Sequence, residues 1–395
     1  MSGGVDSSVA ACLLHEQGHE VVGFFMRTGV EHDRPADSND RHQGCCSASD
    51  AADARYVAGK LGINFYALNM QKDFDSIIDY FTSEYKNGRT PNPCVVCNDR
   101  LKFGKIVDYA KSIDADWIAT GHFARIDRSA GRPVLRRGVD SRKDQSYVLF
   151  GLDRDVLDRI VFPLGEMTKE QVREEARRFD LPVCDKPDSV EICFVPDRDY
   201  ARVVRERDPE TIAPGDVVAP DGKVVGQHEG IANFTIGQRR GLGIAFGLPI
   251  YVTALDPASQ TVTVGPREDL LKRGLVADRV NWLTDPPAGP IRVLCQIRYQ
   301  HQAAPATAER LDDGCIRVVF DEPQSAITPG QAVVLYDGED CLGGGCLARR
   351  ACPVGRDAQY GPDQAMFHMR RFLKAQGRSD RGLGCVLIKS LCPTE

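Results

Sequence analysis

No apolar run in these 395 residues is long enough to span a bilayer, and no signal peptide opens the chain; the expected compartment is the cytoplasm. A second Cys-x-x-Cys pair is missing. Cys94-Val95-Val96-Cys97 stands alone, which disfavours structural zinc. The 14 cysteines follow no secreted disulfide framework, leaving catalytic, metal-bound or buried thiols as the options. A general excess of positive charge is also absent, since the net charge is −6. Any nucleic acid must therefore meet local basic clusters, such as Arg136-Arg137 with Arg142-Lys143, or Arg239-Arg240. Each cluster taken singly is more simply a solvated face. No repeat of fixed period is present.

What is present starts at Ser2-Gly3-Gly4-Val5-Asp6-Ser7-Ser8. Two glycines let backbone amides approach a ligand closely, and the residues that follow read as a helix whose N-terminus favours anions. Ser7 and Ser8 add hydroxyls, and Asp6 suits a magnesium ion or an amide. A Walker loop carries a Lys after its last Gly to reach the outer phosphates; this loop has none, which suits pyrophosphate as a leaving group. Such a loop normally follows a buried strand, yet Met1 already lies inside it. Two expectations follow: a start codon upstream of the one assigned, which is the favoured one, or a sheet lacking a central member.

Strands read at 19–26, 63–68 and 116–120 alternate with helices starting near Ser47, around Phe74–Phe81 and through Ile106–Ile113, predicting a doubly wound parallel sheet. Ligands of such sheets sit beyond the carboxyl ends of the strands, where the loop, Met26 and Gly121 would meet. A loop is expected over 87–98, and helices opening at Lys143 and spanning 166–180. Near residue 205 Gly, Pro and alternating apolar residues take over, and short strands follow at 250–255, 261–264, 291–298, 316–320 and 332–336. The expected division is a loop-bearing domain over 1–204, a small mixed central module over 205–280, a C-terminal β-barrel over 281–350, and an accessory tail of disorder-prone composition over 351–395.

Cys97 closes the Cys-x-x-Cys pair just before a helix, where a thiolate is favoured. Cys193 stands in Ser189-Val190-Glu191-Ile192-Cys193-Phe194. Cys97 and Cys193 fit a sulfur carrier, one thiol holding a persulfide and the other attacking it to leave a disulfide bond or expel sulfide. Alternatively Cys94, Cys97 and Cys193 ligate three irons of a [4Fe-4S] cluster, the fourth iron staying open for sulfide. Ordinary loop thiols are the plain alternative, as is a buried pair for Cys45-Cys46.

These segments occur together and in order with Thr90-Pro91-Asn92-Pro93, Cys97-Asn98, Gly121-His122-Phe123-Ala124-Arg125, Lys143-Asp144-Gln145-Ser146-Tyr147, Phe234 to Gly243 (FTIGQRRGLG) and Thr328-Pro329-Gly330-Gln331. Up to about Cys346 the chain resembles the tRNA-specific 2-thiouridylases, members of the PP-loop ATP pyrophosphatases with a HUP-like fold. The resemblance implies a tRNA-uridine 2-sulfurtransferase that uses ATP and Mg2+ to replace the C2 oxygen of the anticodon wobble uridine by sulfur. It places ATP on Ser2, Gly3, Gly4, Val5, Asp6, Ser7, Ser8, Met26 and Gly121. Cys97 corresponds to the nucleophile and Cys193 to the persulfide carrier, with Cys94 a third thiol. Asn92, Pro93 and Cys94 line the flipped base, and His122, Lys143, Asp144, Gln145, Arg298, Tyr299 and Gln331 correspond to tRNA contacts. One branch of the family has an acid–base Asp where Cys94 stands, which keeps the cluster and the persulfide as rivals. The implied partners are tRNA, through its anticodon stem-loop, and an upstream sulfur-relay protein or cysteine desulfurase. Two other readings are another PP-loop adenylating ligase, indifferent to loss of Cys97, and a non-catalytic RNA-binding protein.

Overall fold

A strand that is apolar along its length needs cover on both faces. Val21–Arg27 (β1) has it, every residue but the last being buried. The computed structural model describes residues 1–30, 48–188, 192–209, 212–244, 247–349 and 385–388; Cys45-Cys46, Glu191 and most of the tail lie outside them. Helix α1 (Val5–Glu16) precedes β1. Then come α2 (Ala48–Leu61), β2 (Asn64–Asn69), α3 (Gln71–Lys86), α4 (Pro93–Val96), a π-helix over Cys97–Lys105, α5 (Ile106–Ser112) and β3 (Trp117–Thr120). A hairpin of β4 (Ala124–Asp127) and β5 (Val134–Arg137) leads to β6 (Ile160–Val161), α6 (Lys169–Arg178) and α7 (Tyr200–Arg207).

β1 and β2 pair in parallel, as do β3 and β6. Helices cover both faces, and the strand residues alternate between them as a period of two requires. Val21 and Phe25 pack with α1, α2 and α6, whereas Val22, Phe24 and Met26 pack with α3, the π-helix and α5. The doubly wound expectation therefore holds. α3 shows why its register is fixed: Phe74, Ile77, Phe81 and Tyr85 are buried at helical spacing on one face.

The sheet does not lack its central member, so the less favoured of the two expectations, a gap, does not hold. Cys385–Ile388, numbered β17 as the last strand of the chain, lies between β1 and β3 and is antiparallel to both. Phe24 and Thr120 both stand opposite Cys385. Val386 and Ile388 face one helical layer, and Cys385 and Leu387 the other. Four residues of the stretch expected as an accessory tail are thus core. The Met1 amine donates to Cys385 O at 2.6 Å and also to Phe24 O, which ties the start of the Ser2–Ser8 loop to this strand.

The central module is a four-stranded sheet in the order β8-β7-β10-β9, from β7 (Gly215–Val218), β8 (Val224–His228), β9 (Tyr251–Asp256) and β10 (Thr261–Gly265). Six further strands follow: β11 (Leu271–Trp282), β12 (Ile291–Gln296), β13 (Ala304–Arg310), β14 (Ile316–Ser325), β15 (Ala332–Asp337) and β16 (Asp340–Leu347). They close a barrel because β11 pairs with both β14 and β16. The barrel starts at Leu271, ahead of the expected 281. The β4–β5 hairpin adds to its edge through Arg136 and Asp340, so a piece of the first domain is stitched into the barrel sheet.

Two local expectations change. Lys143 does not open a helix. The Asp144 carboxylate accepts from Gly138 N and Ser146 N, each at 3.0 Å, and fixes a turn that continues as a single 3-10 turn over Ser146–Val148. The loop expected to reach Asn98 ends at Asn92, whose side chain caps α4 by accepting from Val95 N at 3.4 Å, with Pro93 in the first helical position.

Candidate active site

The Ser2–Ser8 loop is wedged between α2 and the end of β3. Gly3 adopts φ +74°, and a Cβ there would lie 2.2 Å from Asp50 O. A Cβ at Gly121, just past β3, would lie 2.7 Å from Asp6 C and 2.8 Å from Ser7 N. No other residue fits either place, so these two glycines set how deeply the loop sits over the strand ends. Ser2 N donates to Ser7 Oγ at 2.9 Å, and Ser8 Oγ donates to Gly4 O at 2.8 Å. The serine hydroxyls thus pre-form the turn as well as lining it. Of the expected ATP residues outside the loop, Gly121 thus lies directly against it, while Met26 is the last residue but one of β1, near the carboxyl end of that parallel strand.

Charge around the loop comes from elements far along the chain. Lys169, the first residue of α6, donates from Nζ to Asp6 Oδ1 at 2.6 Å and pairs with Asp188 Oδ1 at 2.7 Å. Asp188 is shared with Lys143 at 3.2 Å and Arg173 at 3.3 Å. On the other flank Lys186 donates to Gly3 O at 3.0 Å and to the carboxylates of Asp50 and Asp53 at 2.6 and 2.7 Å. Burial pushes the Asp6 carboxyl up from its usual range, against the pull of Lys169. Lys169, Lys186 and Asp188 escape the sequence reading. Each is set against the loop by tertiary structure, and no local motif marks them.

Cys97 opens the π-helix and is buried, while Cys94 and Cys193 are half-buried. All three pack with one apolar cluster that includes Phe74 and Phe81 of α3. Phe194, beside Cys193, meets Phe81 edge-on at 5.2 Å and Phe74 at 5.7 Å. The segments carrying Cys97 and Cys193 therefore share one packed neighbourhood. No disulfide is formed among the described residues. Nor do three His, Cys, Asp or Glu side chains among them gather around a single metal ion.

Asn98 and Lys102, on the same π-helix, form a buried polar relay. Lys102 is fully buried; its Nζ donates to Asn98 Oδ1 at 2.7 Å and lies 3.4 Å from His122 Nε2. Thr120 Oγ1 is 2.6 Å from His122 Nδ1. Burial first, and Lys102 second, hold the imidazole well below its ordinary pKa. A neutral ring accepts at Nε2 and donates from Nδ1 to Thr120, the tautomer that satisfies both neighbours.

Of the remaining residues tied to tRNA by resemblance, Asp144, Arg298, Tyr299 and Gln331 lie where the first domain meets the barrel, whereas Lys143 pairs with Asp188 beside the loop. His122 and Gln145 face inward, and Gln145 Oε1 accepts from Phe123 N at 2.9 Å. Arg137 links Asp144 at 2.8 Å to Gln296 at 3.1 Å, and Gln296 donates to the carbonyls of Arg298 and Tyr299 at 3.1 and 2.7 Å. Gln331 donates to Thr90 O at 3.0 Å and Pro91 O at 3.3 Å. Thr90-Pro91, which leads into Asn92-Pro93-Cys94, is thus docked on the barrel turn that bears Gln331. In the central module Arg239 and Arg240 are exposed. No helix among the described residues is long and apolar enough to cross a membrane.

A phosphate-type loop at the strand ends of a doubly wound sheet, followed by two β modules, defines a class of nucleotide-using α/β enzyme with appended barrels. Family models agree in that order: tRNA methyl transferase HUP domain over residues 1–197, tRNA methyl transferase PRC-barrel domain over 203–266, and aminomethyltransferase beta-barrel domain over 272–347. The tRNA-specific 2-thiouridylase MnmA of Rhodopirellula baltica is 48% identical over 377 residues, covering 88% of this chain and 94% of that protein. The protein of the same name from Carboxydothermus hydrogenoformans is 48% identical over 355 residues, covering 89% and 96%. That of Symbiobacterium thermophilum is 47% identical over 354, covering 88% and 91%. The chain belongs to the tRNA-specific 2-thiouridylase family.

Proposed function

We propose that this protein thiolates C2 of the wobble uridine of tRNA, using ATP, with Cys193 as persulfide carrier and Cys97 as resolving nucleophile. Near-half identity to 2-thiouridylases over most of the chain carries this reading. The common packing of the two cysteine segments against α3 supports the roles. A urea-like carbonyl is a poor electrophile with a poor leaving group. The loop holds ATP so that the uridine O2 attacks its α-phosphate and pyrophosphate departs, leaving AMP as the group to be displaced. Asp6 is the loop carboxylate that would hold the accompanying Mg2+, whose contribution is to neutralise charge on the triphosphate.

The terminal sulfur of the Cys193 persulfide then bonds to C2, and the C2–O bond to AMP breaks. Attack of the Cys97 thiolate on Cys193 Sγ cleaves the sulfur–sulfur bond, leaves the new sulfur on the base, and forms a Cys97–Cys193 disulfide. A thiol reductant resets that disulfide, and an upstream cysteine desulfurase or relay protein reloads the persulfide. The same attack made first would release sulfide as the species that adds to C2. The base would sit by Asn92-Pro93-Cys94, with the anticodon arm along the junction of Lys143-Asp144-Gln145, Arg298-Tyr299 and Gln331, in the cytoplasm where tRNA is modified. The test is Cys193→Ala. Nucleoside mass spectrometry of tRNA should show no 2-thiouridine, while tRNA binding stays within about two-fold. Persistent thiolation would remove Cys193 from the mechanism.

A further inference from the structure

The loop lacks the lysine with which a Walker loop meets the outer phosphates, yet a lysine lies against it. We propose that Lys169 receives the pyrophosphate end of ATP, exchanging its contact with Asp6 for the β- and γ-phosphates when the nucleotide enters. The inference rests on the nucleotide reading of the loop and adds the residue that replaces the Walker lysine.

Two observations carry it. First, Lys169 Nζ touches the only carboxylate of the Ser2–Ser8 loop, at 2.6 Å, so its charge is already at the phosphate cradle. Second, it is held there from both ends. Its backbone N donates to Asp140 Oδ2 at 3.1 Å, and α6 starts on a capping box in which Thr168 and Gln171 bond reciprocally. A flexible ammonium with three donors suits a polyphosphate whose position changes as it leaves. Asp6, released from Lys169, becomes available to the divalent ion that accompanies ATP.

The experiment measures binding by titration calorimetry on the full chain, with Mg·ATP, Mg·pyrophosphate and AMP as three separate probes. In Lys169→Met, affinity for ATP and for pyrophosphate should fall about 10- to 100-fold, the usual worth of a charge-assisted hydrogen bond. AMP, which lacks the outer phosphates, should bind within about two-fold of wild type. If Lys169→Met does not fold, Lys169→Met combined with Asp188→Asn, which removes a carboxylate along with the cation, is read the same way. Unchanged pyrophosphate affinity would overturn the assignment. So would a parallel loss of AMP, which marks a collapsed loop and a purely structural lysine. Wild-type protein that binds none of the three probes would instead overturn the nucleotide reading, and the lysine assignment with it.

Discussion

A single imidazole shows how much of this site is decided by one side chain's surroundings. His122 follows the glycine that contacts the loop, and it is buried against Lys102 and Thr120. Protonating it would set two cations side by side and strip Lys102 of an acceptor. The folded protein therefore resists a proton that the unfolded chain takes up below about pH 6.5. The sign follows: this histidine's contribution to stability is fully present above that pH and is lost as pH falls, by at most about 1.4 kcal/mol per pH unit. His122→Asn should flatten the pH dependence of the melting temperature between about pH 5 and 7, measured by circular dichroism beside wild type. Equal slopes would mean that another group titrates there. The resemblance ties this residue to tRNA, but in the free protein its ring faces inward, so any such contact requires the π-helix and β3 to part.

Among elements, the Thr90–Pro93 segment shows most clearly how the parts are coupled. It ends in the cap of the helix bearing Cys94 and leads into the one bearing Cys97, and it is clamped by Gln331 and by Thr90 N donating to Pro329 O at 2.8 Å. Gln331→Ala removes the donor to two carbonyls. A loss of about 1 kcal/mol in stability is expected, together with a several-fold drop in thiolation rate at saturating tRNA and unchanged ATP affinity. If turnover holds while only tRNA affinity falls, Gln331 touches RNA and does not position the segment. The motif of this element was legible in the sequence, as were the loop, the two cysteines and the buried β1, because each is a local pattern. Strands β11 and β16 were not. Leu271–Trp282 has only Leu275, Val276 and Ala277 buried, flanked by charges and a glycine, and Asp340–Leu347 has three consecutive glycines. Both are strands because barrel closure pairs them, and closure is not a local property. Lys169 was invisible for the same reason, lying 163 residues from Asp6 in the chain.

At the scale of the molecule, the sheet under the Ser2–Ser8 loop is completed from the far end of the sequence. Cys385, Val386, Leu387 and Ile388 are all 1% exposed or less, and burial of such side chains contributes roughly 1.5–3 kcal/mol each for the larger ones. The backbone of the strand satisfies β1 on one side and β3 on the other, so without it two rows of polar groups would face an apolar gap. β1 ends at Met26-Arg27 and β3 at Thr120, just before Gly121, so the spacing between these two strand ends is set by this one strand. Nothing near residue 385 announces the role, because a short apolar run reads the same in a tail as in a core. A charge at its centre is a direct probe: Leu387→Asp buries an unpaired carboxylate among α3-side residues and should lower stability by several kcal/mol. ATP affinity should fall with it, while the barrel, closed by its own six strands, keeps its hydrogen-exchange protection. A variant that melts and binds ATP like wild type would place these four residues outside the sheet, and the loop would then have to be supported by some other segment between β1 and β3.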